Sequence, residues 1–132
     1  MASVTANIKK ELYRIEIESP SGNVVIADEP LESGGKDLGF SPTELLASSL
    51  AACTSATLRI YADNKGWDLE EVKLEIDLVR DDETNKTVIH RKIELFGNLD
   101  EKQRERLLKV ANACPVHRIL TNPIEINTEI SS

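Results

Sequence analysis

The chain has 132 residues, 40% of them hydrophobic and 30% charged, with a formal net charge of -7. That length gives one domain able to bury a core without staples or metals, and the composition is that of a soluble globular chain. The acidic balance argues against a nucleic-acid partner, which recruits a basic patch. The absence of a run of about 18 consecutive apolar residues argues against a membrane span.

The opening stretch, "MASVTANIKKELYRIEIE", alternates polar and apolar residues without an apolar h-region, so no signal peptide is expected. The expected compartment is the cytoplasm, where structural disulfides are rare. The two cysteines, Cys53 and Cys114, are therefore read as free thiols, ligands, a redox couple or inert core residues. The alternation predicts two strands separated by a turn near 9–11, with Ile15 and Ile17 on one face and Arg14, Glu16 and Glu18 on the other. After a second turn, "SPSG", a third strand over 23–28 completes an antiparallel meander. The Gly- and Pro-rich stretch 29–42 is a long loop, either functional or a plain connector.

"SPTE" is a helix start: Ser41 serves as N-cap, Pro42 as the first helical residue, and Glu44 closes a capping box. The helix is expected to run to about Asn64, with Gly66 just past its end. Its apolar face is read as Leu46, Leu50, Cys53, Thr57 and Ile60, widened by Leu45, Ala52 and Ala56. Two long alternating strands follow, joined by the polar turn 81–86; Val72, Leu74, Ile76 and Leu78 mark one face of the first. In the second, Val88, His90, Lys92 and Glu94 alternate with Ile89, Arg91, Ile93 and Leu95, giving a hairpin with one wet face. An amphipathic helix begins at Asp100, with Gln103 as its capping partner, and ends near Cys114 because Pro115 follows. A short helix from Pro115 and a last strand over 124–130 complete the chain. Strands in groups with helices between them define an α+β fold.

Cys114 stands at the start of the short helix, where a thiolate is favoured. Cys53 is mid-helix and needs a cation from elsewhere; Arg14, Arg59, His117 and Arg118 are the candidates. A zinc site using Cys114-x-x-His117 with Cys53 and His90 lacks local ligand pairs, and a Cys-His hydrolase lacks an elbow or oxyanion motif. No metal or cofactor is expected. Glu44 is explained by its cap, His90 as an exposed strand residue, and Trp67 as packing on the helix end.

In their order, "SPTELLASSLAAC", the Ala62–Gly66 spacing and "ANACPVHRIL" resemble the OsmC-like family, which includes osmotically induced peroxidases and organic hydroperoxide resistance proteins. The resemblance covers essentially the whole chain and implies a single OsmC-like domain over 1–132, in a divergent sub-branch. It implies an intertwined homodimer, with antiparallel sheets wrapped around paired central helices and two sites at the interface. It also implies a thiol peroxidase. Cys53 attacks an organic hydroperoxide and becomes a sulfenic acid, Cys114 resolves it as a disulfide, and a dithiol, often lipoyl-type, restores the enzyme.

In the family an arginine fixed by a glutamate serves the attacking thiol. Here Thr43 separates Pro42 from Glu44, a rotation of about 100° along a helix, and "KKELYR" offers Arg14 in place of a glycine-rich segment. The resemblance thus assigns Cys53, Cys114, Arg14 and Glu44. The alternative is a catalytically weak small-molecule-binding or redox-sensing dimer of the same fold. The enzyme requires the two cysteines within disulfide reach, with Cα atoms less than about 7 Å apart. An inert core does not bring them together, and a binding module has an apolar pocket beside them without an arginine.

Overall fold

The computed structural model describes residues 1–131. The chain falls into two compact units, Met1–Leu46 and Ala47–Ser132.

In the first unit, β1 (Thr5–Ile8), β2 (Ile15–Glu18) and β3 (Val24–Ala27) form the expected antiparallel meander in the order β1-β2-β3. Ile15 and Ile17 are the half-buried residues of β2, as its alternation predicts. The second turn closes through the Gly22 N–H donating to the Ser19 carbonyl at 3.0 Å. The long loop is organised rather than loose. A 3-10 turn spans Leu31–Ser33, and Phe40 bridges in parallel to Ala27. The buried Asp28 carboxylate accepts the N–H groups of Glu29, Leu38 and Tyr13 at 2.7, 3.1 and 3.2 Å. At Gly39 a side chain is impossible without movement, because its first carbon would stand 2.0 Å from the Ile26 carbonyl oxygen.

Helix α1 spans Pro42–Lys65. It starts at the predicted capping box: Glu44 N–H donates to Ser41 Oγ at 3.2 Å, and Ser41 N–H to Glu44 Oε1 at 2.8 Å. It ends as predicted, in a Schellman motif: Gly66 has φ 70°, its N–H donates to Asp63 O, and the Trp67 N–H donates to Ala62 O. Trp67 then packs edge-on against Tyr61, with ring centroids 5.6 Å apart.

The second unit is built on that helix, the hairpin β4 (Asp68–Asp81) and β5 (Lys86–Asn98), and helices α2 (Glu101–Ala111) and α3 (Pro115–Leu120). The hairpin register pairs Val72 with Leu95, Leu74 with Ile93, Ile76 with Arg91 and Leu78 with Ile89. These residues form the half-buried face. Asp100 and Gln103 make both bonds of the predicted capping box of α2. The core is Leu58, Ala62, Leu69, Leu107 and Ala111, flanked by Tyr61, Trp67, Val72, Ile93 and Leu95.

Three expectations are corrected. The buried stripe of α1 is Leu50, Thr54, Leu58 and Ala62, while Leu46 and Ile60 are exposed. Composition decides little along an Ala-, Ser- and Thr-rich helix, so packing selects the i, i+4 row, one position beyond Cys53. α2 stops at Ala111, three residues before Cys114. Residues 124–130 form no strand and are exposed; among the described residues no strand pairs with them. By length and composition alone, α1 is also long and apolar enough to cross a membrane. The same features describe the core helix of a water-surrounded protein, and Leu58 and Ala62 of α1 lie in the core.

Candidate active site

Cys53 lies on α1, one residue from the buried stripe, and is partly exposed. Cys114 is fully buried at the N-cap of α3. The second unit brings the two together: the Cys53 side chain stands near enough to Cys114 to favour its thiolate, and both cysteines are free. The backbone N–H of His117 donates to Cys114 Sγ at 3.3 Å, and the Val116 backbone beside it also favours the thiolate. Thr54 Oγ1 stands 3.9 Å away, a weak contact, because its single proton is directed to the Leu50 carbonyl at 2.7 Å. Burial works against ionisation of Cys114. The neighbours that favour its thiolate, the His117 N–H first and then Cys53, Thr54 and Val116, together outweigh it and hold the thiol below its ordinary value.

The cation of this cluster is one that the alternation hid. Arg91 occupies the inward face of β5, opposite Ile76, and is half-buried. Its Nη1 donates to Thr54 Oγ1 at 3.0 Å and to the Ala111 carbonyl at 3.4 Å. Its Nη2 donates to Asn112 Oδ1 at 2.9 Å and meets His117 Nδ1 at 3.3 Å. With Arg91 as donor, His117 Nδ1 is the acceptor and the ring proton sits on Nε2. No carboxylate pairs with Arg91 among the described residues. The signal was present in the sequence: an arginine in a run of Ile89, Ile93 and Leu95 breaks the face it shares.

A cavity of about 250 Å³ opens beside the cluster, lined by the apolar Leu50, Ile89 and Leu120 and by the polar Thr87, Arg91, His117 and Thr121. No group of three or more His, Cys, Asp or Glu with metal-ligand placement occurs among the described residues.

The other sequence candidates lie elsewhere or have local partners. Arg59 is bound to Asp63 and the Leu69 carbonyl. Arg118 is exposed, and its carbonyl accepts from Asn122. Arg14 belongs to the first unit and meets Glu16 at 3.7 Å. Glu44, also in the first unit, closes the capping box of α1.

A family model described as OsmC-like protein matches residues 34–129. Among solved structures, the chain is similar to one from Psychrobacter arcticus assigned to osmotic stress induction and detoxification. The two share 29% identity and a TM-score of 0.79, over 90% of this chain and 88% of that one. It is likewise similar to an OsmC-like protein of Mycoplasma pneumoniae, with 22% identity and a TM-score of 0.79 over 92% and 87% of the chains. A third similar structure is an organic hydroperoxide resistance protein of Legionella pneumophila, with 23% identity and a TM-score of 0.69 over 91% and 88%. No curated protein sequence matches. The fold is the α+β fold of those structures, and the chain belongs to the OsmC-like family.

Proposed function

We propose that this chain is a thiol-dependent, peroxiredoxin-like peroxidase of the oxidative stress response that reduces organic hydroperoxides. The observation that carries the reading is the pairing of a partly exposed thiol, Cys53, with a buried thiol, Cys114, near enough for Cys53 to favour the Cys114 thiolate. The arginine lining the adjacent cavity favours this reading over a plain binding module.

In the proposed cycle, the Cys53 thiolate attacks one oxygen of the peroxide. The O–O bond breaks, the leaving alkoxide takes up a proton, and Cys53 becomes a sulfenic acid. Cys114 then attacks that sulfur; hydroxide leaves and is protonated to water, and a disulfide forms. A dithiol, lipoyl-type in the family's pattern, accepts the oxidation and returns both thiols. The resemblance carries Arg14 and Glu44 into this proposal as the supporting cation and its partner, and it carries the homodimer and the cytoplasmic setting with them.

The test is the intact mass and thiol count of reduced protein after stoichiometric cumene hydroperoxide, with hydrogen peroxide in parallel. Wild type is expected to lose two hydrogens and both thiols. Cys114→Ser is expected to gain one oxygen on Cys53. If both thiols survive either peroxide, the peroxidase reading fails. Running Arg14→Met and Glu44→Gln in the same assay decides whether those residues take part.

A further inference from the structure

We infer that when the Cys53–Cys114 disulfide is reduced, the incoming thiol bonds to Cys53 Sγ and Cys114 departs as the thiolate, with Arg91 as the positioning residue of the leaving sulfur. This rests on the thiol-pair reading above and gives the cycle a direction.

The first ground is access. Displacement at a disulfide needs the nucleophile to approach along the S–S axis. Cys114 has no exposed surface, whereas Cys53 is partly exposed. The second is charge. Exchange is faster when the departing sulfur is the better-stabilised anion. Polar groups converge on Cys114 Sγ: the His117 N–H donates to it at 3.3 Å, the Val116 backbone favours its thiolate, and Thr54 Oγ1 stands 3.9 Å away.

The third ground is Arg91. Its acceptors, Thr54 Oγ1, the Ala111 carbonyl, Asn112 Oδ1 and His117 Nδ1, are all uncharged, so they orient the guanidinium without cancelling its charge. Three of them touch Cys114 directly or through their own backbone: Thr54 at 3.9 Å, Ala111 by accepting the Cys114 N–H at 3.4 Å, and His117 through its N–H. The ionisable groups around the departing sulfur are thus Cys53 from α1, Arg91 from β5 and His117 from α3. The end of α2 and its C-cap contribute only the neutral Ala111 carbonyl and the Asn112 amide. None of these bonds is made by a carboxylate that would oppose the developing negative charge.

The step balances. A reductant thiolate forms a new S–S bond to Cys53, the old S–S bond breaks, and its electron pair stays on Cys114 Sγ. With a dithiol, the second thiolate attacks the reductant's own sulfur and releases Cys53, leaving the oxidised dithiol.

The experiment starts from protein oxidised with diamide, so that peroxide reactivity plays no part. Cysteamine is added, the reaction is quenched with acid at short times, and peptide mass spectrometry locates the adduct. The adduct is expected on Cys53 in excess of about tenfold over Cys114. Arg91→Gln, which keeps hydrogen bonding and removes the charge, is expected to slow the loss of disulfide by about tenfold, and Arg91→Lys to recover most of the rate. A purely structural role for Arg91 would lower thermal stability and leave the partition and relative rates unchanged. An adduct on Cys114, an even partition, an Arg91→Gln rate equal to wild type, or failure of diamide to join the two sulfurs overturns the inference. Where Arg91→Gln does not fold, the wild-type partition and the Arg91→Lys rate decide. Protein that partitions onto Cys53 yet ignores peroxides keeps this inference and loses the peroxidase.

Discussion

Arg91 and Asp28 are both charged residues in places that strand and loop patterns reserve for neutral ones. Each is tolerated because its hydrogen-bonding capacity is filled by fixed partners, since a buried charge without them is costly. For Arg91 those partners surround the thiols. For Asp28 they are backbone N–H groups of its own loop. Burial there raises the energy of the carboxylate, but the N–H donors of Leu38, Glu29, Tyr13 and Lys36 outweigh it and hold the group below its ordinary value. A carboxyl depressed on folding stabilises the protein fully above its unfolded pKa of about 3.9 and loses that contribution as pH falls through the lower folded value. Melting temperatures measured from pH 6 to pH 2 are therefore expected to fall more steeply in wild type than in Asp28→Asn. Asp28→Asn starts lower at neutral pH, because an amide cannot accept so many N–H groups. Parallel curves for the two proteins would show that Asp28 is not ionised in the fold.

At the scale of elements, α1 shows how far a helix can be read. Its two ends are fixed by local chemistry, the Ser41–Glu44 box and the Gly66 turn, and both stand where the sequence places them. Its buried face depends on what packs against it. Leu58 has no exposed surface and Ile60 is 60% exposed, so the two aliphatic residues separate cleanly. Leu58→Ala is expected to cost about 2–5 kcal/mol. Ile60→Ala is expected to stay within about 0.5 kcal/mol in the single chain. Urea unfolding of both variants checks this; equal losses would place the packed face where the periodicity first suggested. The same rotation by one residue sets the chemistry: with Thr54 in the buried row, Cys53 is left partly open while its sulfur still meets Cys114.

For the whole molecule, the exposed apolar residues bear on assembly. Ile60 on α1 and Ile124, Ile126 and Ile130 in the segment after α3 are all open in the single chain. Alternating residues in 124–130 read as a strand, yet an extended segment needs a neighbour for its backbone groups, and among the described residues no strand pairs with it. A second copy is the partner expected from the family resemblance. Sedimentation is expected to give the mass of two chains at micromolar concentration, and deletion from Pro123 onward is expected to shift the balance toward one. A monomer at all concentrations in the intact chain would remove the dimer from the proposal. Ile60→Ala repeated across protein concentrations separates a loss of association from a loss of core packing.

The sequence by itself determined the order of elements as far as α3, the turns, the capping boxes of α1 and α2, the place of Cys114 before α3, and the family. These depend on residues within a few positions of one another, where hydrogen-bond chemistry and periodicity act directly. Only the tertiary structure decided which row of α1 is buried, that Cys53 meets Cys114 across more than half the second unit's sequence, and that Arg91 is the cation beside them. The reason is the same in each case. The energy of a buried thiol or guanidinium is set by donors and acceptors that converge from separate elements, here α1, β5, α2 and α3. No local pattern records which distant atoms complete them.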